Sequence, residues 1–269
     1  MLISQFLQEF HQELPLSLAM ADDPVGVQIL VEDRPLTNVA VAYELDEPTI
    51  DRAIQANAEL IVAFHPLIYP SLKRITGATR VERCVARLIT ERMGLLIVHT
   101  AFDAHPNGTS ALFAQALGCA NIAPLQPVAI LPNGGMGAIG TLEHPLTLEE
   151  LAKQVCAVCK IPTVRVSVPA GSRADAVVRR VGVLGGSGMS FYDSAVHAGA
   201  DVFITADVRY HGFHSANDRI PVIDPGHFET EIFVVDGVAR LLQTTVERTG
   251  AAIAVHPLRQ GTNPVRYLS

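Results

Sequence analysis

Apolar residues in the first fourteen positions recur at the spacing of one helical face. Leu2, Phe6 and Phe10 lie on that face together with Leu7 and Leu14. Because residues three and four positions apart share a face of a helix, this pattern predicts an amphipathic first helix. A frayed tail, the alternative, does not require this spacing.

Two later stretches share one pattern of apolar strand, helix and apolar strand. Residues 39–65 and residues 181–207 align at a constant offset of 142 (181 minus 39). Each begins with a Val-rich strand, passes through an Ala-rich helix and ends in a second apolar strand. A polar residue then follows, which is His65 in the first stretch and Asp207 in the second. The chain therefore contains an internal repeat.

Both stretches continue into a further helix and a further apolar strand. The added helices are predicted near Val81–Met93 and Phe213–Asn217, and the added strands at Leu95–Val98 and Pro221–Ile223. Apolar strands that alternate with helices are typical of parallel sheets, whose two faces are both covered. The pattern predicts an α/β fold with two related α/β lobes and mostly parallel sheets.

The stretch between the repeats, residues 124–170, has a different pattern. It predicts several strands and one helix near Leu148–Lys160, which Thr147 and Glu150 are placed to begin with a capping box. We expect this stretch to extend the first lobe. The segment that follows it is small, polar and rich in turn residues, so it is the best candidate for a linker.

The C-terminal region predicts a long helix over Phe228–Thr249 and a last strand at Ala252–Val255. This tail can return to the first lobe. The expected organisation is therefore a first lobe with extra strands, a linker and a second lobe, at residues 1–168, 169–175 and 176–269.

Composition narrows the class of protein. Of the 269 residues, 49% are hydrophobic and 17% are charged, which excludes intrinsic disorder as the main state. The longest apolar runs fall short of the roughly 18 residues that a spanning helix needs, so we expect no membrane segment. A formal charge of −7 disfavours nucleic acid as a partner. The N-terminus has no basic leader and the four cysteines are scattered, so we expect a cytoplasmic protein.

Polar side chains follow the predicted strands where parallel sheets collect their ligands, at the carboxyl ends. These positions are held by His65, His99, Asp103, Asp207 and His227. Imidazole nitrogens and carboxylate oxygens from separate strands are the donors from which a divalent-metal site is built. The sequence therefore predicts such a site at these strand ends.

The segment HFETE adds a second carboxylate to this set. His227 and Glu231 are four residues apart and share a helical face, whereas Glu229 points elsewhere. One imidazole and one carboxylate on the same face can hold a single cation.

Each candidate also has a purely structural interpretation. His65 can bond to the backbone at a strand end, Asp103 lies in a turn-prone run, and an acid such as Glu231 stabilises the start of a helix. His211 and His214 stay ambiguous because they are three apart on a predicted helix. The remaining histidines are interpreted as structural or surface residues: His99, His105, His144, His197 and His256.

Three other motifs are weaker. The spacing of the glycines in Gly135–Gly140 matches the dinucleotide-binding motif. No helix is predicted directly after them, as that motif requires, so we interpret them as part of a strand or hairpin. Gly185–Gly188 follows a strand and precedes a helix, which fits either a phosphate site or a tight turn. Cys156 and Cys159 lie inside a helical pattern and favour a buried pair over a redox or zinc site.

Several stretches, distributed in order from residue 23 to residue 231, carry a family resemblance. They are DPVGVQ at 23–28, AELIVAFHPLI at 58–68, HTAFD at 99–103, GGSG at 185–188, GADVFITADVRYH at 199–211 and GHFETE at 226–231. Together they resemble the Nif-three-like family, whose members are also called type-two homologues of GTP cyclohydrolase. The combination is specific and covers nearly the whole chain.

The resemblance implies two related α/β lobes with a dinuclear divalent-metal site in the cleft between them. It also implies self-association, since many members form ring-like homo-oligomers of dimers. The metal ligands carried over by position are His65, Asp103, His227 and Glu231, with Glu231 bridging the two metals.

This chain departs from the family pattern at one ligand position. The first residue of the family's His-His pair is Phe64 here, and a phenyl ring has no lone pair to donate. We therefore expect one well-occupied metal position, which keeps His65, Asp103 and Glu231. The second keeps only His227 and Glu231, so we expect it to be weak or empty. Zinc, manganese, iron, nickel and magnesium all stay open as the divalent cation. The family's Trp-Asp-Asn is also changed, to Asp22-Asp23-Pro24.

Two functions fit these observations. The first is a metal-dependent hydrolase of a small phosphorylated or nucleotide-like compound, with Glu231, Tyr210 and His211 as candidate catalytic residues. The second is a non-enzymatic metal carrier, chaperone or adaptor protein that uses the same site. The cyclohydrolase activity itself has no residue here that recognises guanine.

Overall fold

A computed structural model describes residues 1–169, 176–216, 219–260 and 263–267 of the chain. The chain forms two compact units, both of which are discontinuous in sequence. The first consists of Met1–Phe102 and Val234–Pro264, and the second of Asp103–Phe233 and Val265–Ser269.

The regular elements alternate between helix and strand through most of the chain. The α-helices of the described residues are α1 (Ile3–Glu13), α2 (Glu47–Gln55), α3 (Arg80–Thr90), α4 (His99–Asp103), α5 (Thr109–Ala116), α6 (Leu148–Cys159), α7 (Tyr192–His197), α8 (Tyr210–Ser215), α9 (His227–Glu231) and α10 (Val234–Thr249). The strands are β1 (Gly26–Ile29), β2 (Asn38–Ala42), β3 (Leu60–Ala63), β4 (Gly94–Ile97), β5 (Cys119–Ala123), β6 (Gln126–Pro127), β7 (Gly135–Met136), β8 (Ala138–Thr147), β9 (Arg165–Ser167), β10 (Val177–Ser187), β11 (Val202–Ala206), β12 (Val222–Asp224) and β13 (Ala254–Pro257).

The first unit contains a five-stranded sheet in the order β1-β4-β3-β2-β13. Strands β13, β2, β3 and β4 are parallel, and β1 is antiparallel at the edge. All four residues of β3 and of β4 are buried, as the continuous apolar runs predict. Helices α2 and α3 supply Ile50 and Leu88 to the core on one face, where each such side chain contributes about 1.5–3 kcal/mol. The predicted amphipathic first helix is confirmed as α1, which packs against α10.

The second unit contains a six-stranded sheet in the order β5-β8-β10-β11-β12-β9. Strands β10, β11 and β12 are parallel, whereas β5, β8 and β9 run antiparallel to their neighbours. Apolar residues of α5 and α6, including Phe113 and Leu151, cover one face. Tyr192 of α7 and Phe203 of β11 belong to the core on the other face. The predicted α/β class with mostly parallel sheets is therefore correct.

The internal repeat is present in the strand register. Val39 pairs with Leu60 across β2 and β3, and Val181 pairs with Val202 across β10 and β11. Both residues of the second pair lie 142 positions after those of the first (181 − 39 and 202 − 60). Each repeat thus places the carboxyl ends of three neighbouring parallel strands at one edge of its sheet.

The boundaries of the units differ from the predicted lobes of 1–168 and 176–269. The stretch that was expected to extend the first lobe pairs with the second sheet instead, because β8 lies between β5 and β10. Of the predicted linker 169–175, residues 170–175 lie outside the described residues. At the C-terminus, α10 and β13 belong to the first unit, where β13 pairs with β2.

Three predicted elements have other limits than expected. The predicted long helix over Phe228–Thr249 is two helices, α9 and α10, with Ile232 and Phe233 between them. The helix predicted near Phe213–Asn217 is α8, which begins at Tyr210, and residue 217 lies outside the described residues. The last strand begins two residues later than predicted. No described helix is both long enough and apolar enough to pass through a bilayer.

Candidate metal centre

Three neighbouring parallel strands of the first unit each end in a polar side chain. Beyond β2 lies Glu44, beyond β3 lies His65, and beyond β4 lies His99. The sheet register continues into these ends, since the His65 amide donates to the Tyr43 carbonyl (3.1 Å) and the His99 amide donates to the Phe64 carbonyl (3.0 Å). The fold therefore brings two imidazoles and a carboxylate to one edge, as the carboxyl ends of parallel strands predict.

His65 is oriented by Glu44. Its Nδ1 lies 3.3 Å from a Glu44 carboxylate oxygen, and the other Glu44 oxygen lies 3.1 Å from an Arg80 guanidinium nitrogen. Burial raises the pKa of Glu44, but the hydrogen bond and charge of His65, together with Arg80, outweigh burial and hold this pKa below its ordinary value. Glu44 thus places an ionised carboxylate at ion-pair distance from the His65 ring.

His99 is oriented by Asp23, a pairing that reasoning from the sequence missed. Nδ1 of His99 lies 2.8 Å from Asp23 Oδ1, and the side chain of Asp23 is only 7% exposed. The other oxygen of Asp23 accepts hydrogen bonds from the backbone amide of Thr100 (3.1 Å) and from its hydroxyl. Asp23 and His99 are 76 residues apart, so no local sequence pattern indicates that they pair. Both nevertheless lie in stretches that resemble the family.

His227 of the second unit lies between two carboxylates. Its Nδ1 is 2.7 Å from Asp207 Oδ2, and its Nε2 is 3.0 Å from Glu231 Oε2. The hydrogen bond to Glu231 raises the pKa of His227 to about 9, with Asp207 adding to the effect and burial opposing it. The predicted helical face shared by His227 and Glu231 is therefore present in α9.

The glycine-rich segment after β10 forms a wall against Glu231. Gly186 has a φ of +67°, and a Cβ at this position would lie 2.2 Å from Glu231 Oε1 and 3.2 Å from His227 Nε2. The amide of Gly185 donates to Ser110 Oγ (3.2 Å) and that of Gly186 to Thr230 Oγ1 (2.9 Å). Because these amides already have partners, the tight-turn interpretation of Gly185–Gly188 fits better than a phosphate site.

Asp103 is the third predicted ligand in the second unit. The hydroxyl of Thr109 donates to its Oδ1, and Thr109 also flanks Gly185. A Cβ on Gly185 would lie 2.6 Å from Thr109 Cγ2 and 3.4 Å from Glu231 Cγ. Asp103 is thus linked through Thr109 to Gly185, the glycine that also lies beside Glu231. It also lines a small pocket with His105.

The candidate proton donors lie on α8. Tyr210 is 71% exposed, and its ring meets those of His211 and His214 edge to face, at centroid distances of 5.5 and 4.8 Å. His211 and His214, whose roles the sequence leaves open, therefore both contact the ring of the exposed Tyr210.

The cysteine pair lies in a helix as predicted, but both residues are half-buried rather than fully buried. Cys156 and Cys159 lie in α6, whose predicted capping box between Thr147 and Glu150 is also present. The Cys159 thiol lies 3.7 Å from the Glu229 carbonyl, and burial raises its pKa to about 12. Burial raises the pKa of Cys156 as well. These shifts favour protonated, unreactive thiols.

Comparison with known proteins identifies the family. The profile of the family Duf34/NIF3 (NGG1p interacting factor 3) matches residues 1–264. The chain belongs to the Duf34/NIF3 family. A Streptococcus pneumoniae relative named GTP cyclohydrolase 1 type 2 homolog is 32% identical over 269 residues, which cover 100% of both chains. A Streptomyces coelicolor protein of the same name is also 32% identical, over 97% of this chain and 93% of its own length.

Solved structures share the fold of this Duf34/NIF3 member. A Bacillus cereus protein related to NIF3 superposes with a TM-score of 0.90 at 23% identity, over 100% of this chain and 99% of the other. A Staphylococcus aureus protein gives a TM-score of 0.91 at 24% identity, with the same coverage. The solved structures confirm the fold, and the family profile with the two relatives confirms the resemblance inferred from the sequence.

The residues of this Duf34/NIF3 member fit a divalent cation. Metal-ligating histidines typically donate one ring nitrogen to a carboxylate, which fixes the ring and leaves the other nitrogen for the metal. His227 with Asp207 is a pair of this kind, and the carboxylate of Glu44 lies 3.3 Å from Nδ1 of His65. The buried carboxylate of Glu231, 3.0 Å from His227 Nε2, supplies an oxygen donor beside one of them. Imidazole nitrogen with carboxylate oxygen suits zinc, iron, nickel and manganese.

Proposed function

We propose that this protein binds a divalent cation through His65, Asp103, His227 and Glu231. The observation that carries the proposal is His227, whose Nδ1 is held by Asp207 while its Nε2 faces the buried carboxylate of Glu231. An imidazole placed in this way is oriented for a cation before one binds.

The function supported best is that of a metal-dependent hydrolase acting on a small phosphorylated or nucleotide-like compound. A bound divalent cation supplies Lewis acidity and activates water near neutral pH. Asp207 fixes the ring of His227, and Gly186 leaves room for the carboxylate of Glu231. Tyr210 or His211, both on α8, would donate a proton or contact substrate. Support for the substrate class comes from the names of the two relatives, which refer to a GTP cyclohydrolase homologue.

Phe64 favours one strong metal position and one weak position. Its side chain is 1% exposed, and its ring stacks against Tyr43 at 6.0 Å and meets His99 edge to face at 5.5 Å. A buried phenyl ring offers no lone pair to a second ion. The same observation supports a second candidate function, that of a metal carrier, chaperone or adaptor, because a two-metal clamp on substrate is weakened.

Metal content and turnover together distinguish these functions. The protein, purified without chelator, should retain a divalent cation in elemental analysis and should hydrolyse a compound from a panel of phosphoesters, nucleotides and cyclic amides. We expect Glu231→Gln to abolish turnover, and Glu143→Gln, which alters an exposed carboxylate on β8, to leave turnover intact. Tight metal binding without turnover on the whole panel would favour the carrier. Protein that binds no divalent cation would contradict both functions.

We also propose that the chain self-associates, in keeping with the ring-like assemblies of dimers that the resemblance implies, and that it acts in the cytoplasm. Light scattering coupled to gel filtration should give a mass above the 28.8 kDa of one chain. A mass of one chain at micromolar concentration would contradict self-association.

A further inference from the structure

The two repeats end in matching short helices. α4 follows β4, the third parallel strand of the first repeat, and α9 follows β12, the third of the second repeat. Each helix has five residues, begins with a histidine and ends with an acid: His99 and Asp103 in α4, and His227 and Glu231 in α9. His99 therefore takes the same place in its repeat that His227, a proposed metal ligand, takes in the other.

The ring of His99 is held as that of His227 is held. In both, Nδ1 lies within 2.8 Å of an aspartate that precedes or follows a neighbouring strand: Asp23 before β1 and Asp207 after β11. Asp23 is itself fixed by the amide and hydroxyl of Thr100. Within the described residues, Asp23 is the one hydrogen-bond partner of the His99 ring, so that Nε2 is available to a ligand.

The spacing of the rings suits a shared ion. The ring centroids of His65 and His99 lie 5.4 Å apart, with an angle of 59° between the ring planes. Two imidazoles on one tetrahedral cation, with metal–nitrogen distances of about 2.0–2.1 Å, have ring centres roughly 5 Å apart. The separation of the two rings is therefore compatible with a common cation.

We propose that His99 is a metal ligand of this protein and shares a divalent cation with His65. It supplies the second imidazole of the first unit, which Phe64 cannot supply. The class of ligand is a borderline cation that prefers nitrogen, such as zinc, iron, nickel or cobalt. This inference rests on the proposed function and adds a nitrogen donor to the proposed metal site.

Titration of metal-free protein with zinc and cobalt tests this assignment. We expect His99→Gln to weaken zinc binding at least about tenfold, and Asp23→Asn to weaken it by about 10–100-fold through loss of ring orientation. In the cobalt form, His99→Gln should also shift and weaken the visible absorption, which reports nitrogen donors and geometry. The matched control is His256→Gln, which removes a first-unit histidine that bonds to Asn38 (2.9 Å), and it should bind as the unaltered protein does.

A second measurement uses unaltered protein, so it does not depend on whether a variant folds. In protein labelled with nitrogen-15 on histidine, zinc should shift the Nε2 resonance of His99 and leave that of His256 in place. The His99 assignment would be overturned if His99→Gln bound zinc as tightly as unaltered protein and zinc caused no shift at His99. If His65→Gln then lost zinc affinity, the proposed function would still stand. Unaltered protein that binds neither zinc nor cobalt would contradict the proposed function itself.

Discussion

Nδ1 of His227 lies 2.7 Å from a carboxylate oxygen of Asp207, the residue that the internal repeat aligns with His65. The second repeat thus uses its strand-end position to orient a proposed metal ligand, where the first repeat has a proposed ligand at that position. The aspartate takes a left-handed backbone conformation, with a φ of +54°, immediately after β11.

Removing the charge of Asp207 should weaken metal binding without unfolding the protein. Asp207→Asn keeps the shape of the side chain but not its charge, and loss of such a partner typically costs 10–100-fold in metal affinity. Isothermal titration with zinc measures this change. Asp193→Asn, which alters an exposed aspartate paired with Arg219, is the control and should have normal affinity. Equal affinities would show that Asp207 does not orient a ligand.

Gly186 should tolerate no side chain. In Gly186→Ala, the new Cβ would meet the Glu231 carboxylate at 2.2 Å, so that we expect metal binding to be lost along with stability. Gly250→Ala is a matched control, since its φ is +66° but nothing lies within 4 Å of its Cβ position. That control isolates the backbone cost, about 1–2 kcal/mol.

Denaturant unfolding and zinc titration of both alanine variants separate the two effects. Gly250→Ala should lose only stability, and Gly186→Ala should lose both stability and affinity. Retention of full zinc affinity in folded Gly186→Ala would show that Glu231 does not need its present position.

Restoring the missing imidazole should change the metal content. Phe64→His returns the first histidine of the family pair, and we expect the number of divalent ions per chain to rise from one toward two in elemental analysis. Phe64→Leu keeps the position apolar and should leave the content unchanged. An unchanged content in well-folded Phe64→His would contradict our explanation of the weak position.

Acid should remove a stabilising network at the start of α3. Glu82 Oε2 accepts hydrogen bonds from the Thr76 hydroxyl (2.6 Å), the Thr76 amide (2.7 Å) and the Ala78 amide (3.3 Å). The Thr76 hydrogen bonds lower the pKa of Glu82 to about 2, despite the opposing effect of burial. A lowered pKa in the folded state stabilises it above the ordinary pKa of about 4.5, and this contribution is lost as the pH falls toward 2.

The comparison of unaltered protein with Glu82→Gln measures that contribution. The difference in unfolding free energy should be largest near pH 7, shrink below about pH 4.5 and vanish near pH 2. Glu149→Gln, which removes an exposed carboxylate paired with Lys153, should show little difference at any pH. A difference for Glu82→Gln that does not depend on pH would contradict this account.

The repeat and the parallel strands could be predicted because their signal is local. The runs LIVA in β3 and VFITA in β11 are apolar throughout, and such runs between helices are decisive for buried parallel strands. His227 and Glu231 could be paired for the same reason, since four residues on one helix fix their relation.

The boundaries of the units could not be predicted, because they depend on which strands pair. Nothing in the ten residues of β8 specifies β5 and β10 as its neighbours. The break between α9 and α10 was hidden because Ile232 and Phe233 continue the apolar pattern of a helix. Asp23 and His99 meet only after folding, so their pairing had no sequence spacing to reveal it.

The discontinuity of the first unit has a consequence for synthesis. β13, the strand beside β2, comes from residues 254–257, which follow the main segment of the second unit. The second unit, apart from its short C-terminal segment, has then already left the ribosome. Since domains generally fold as they emerge, the second unit can fold before β13 is available to complete the sheet of the first unit.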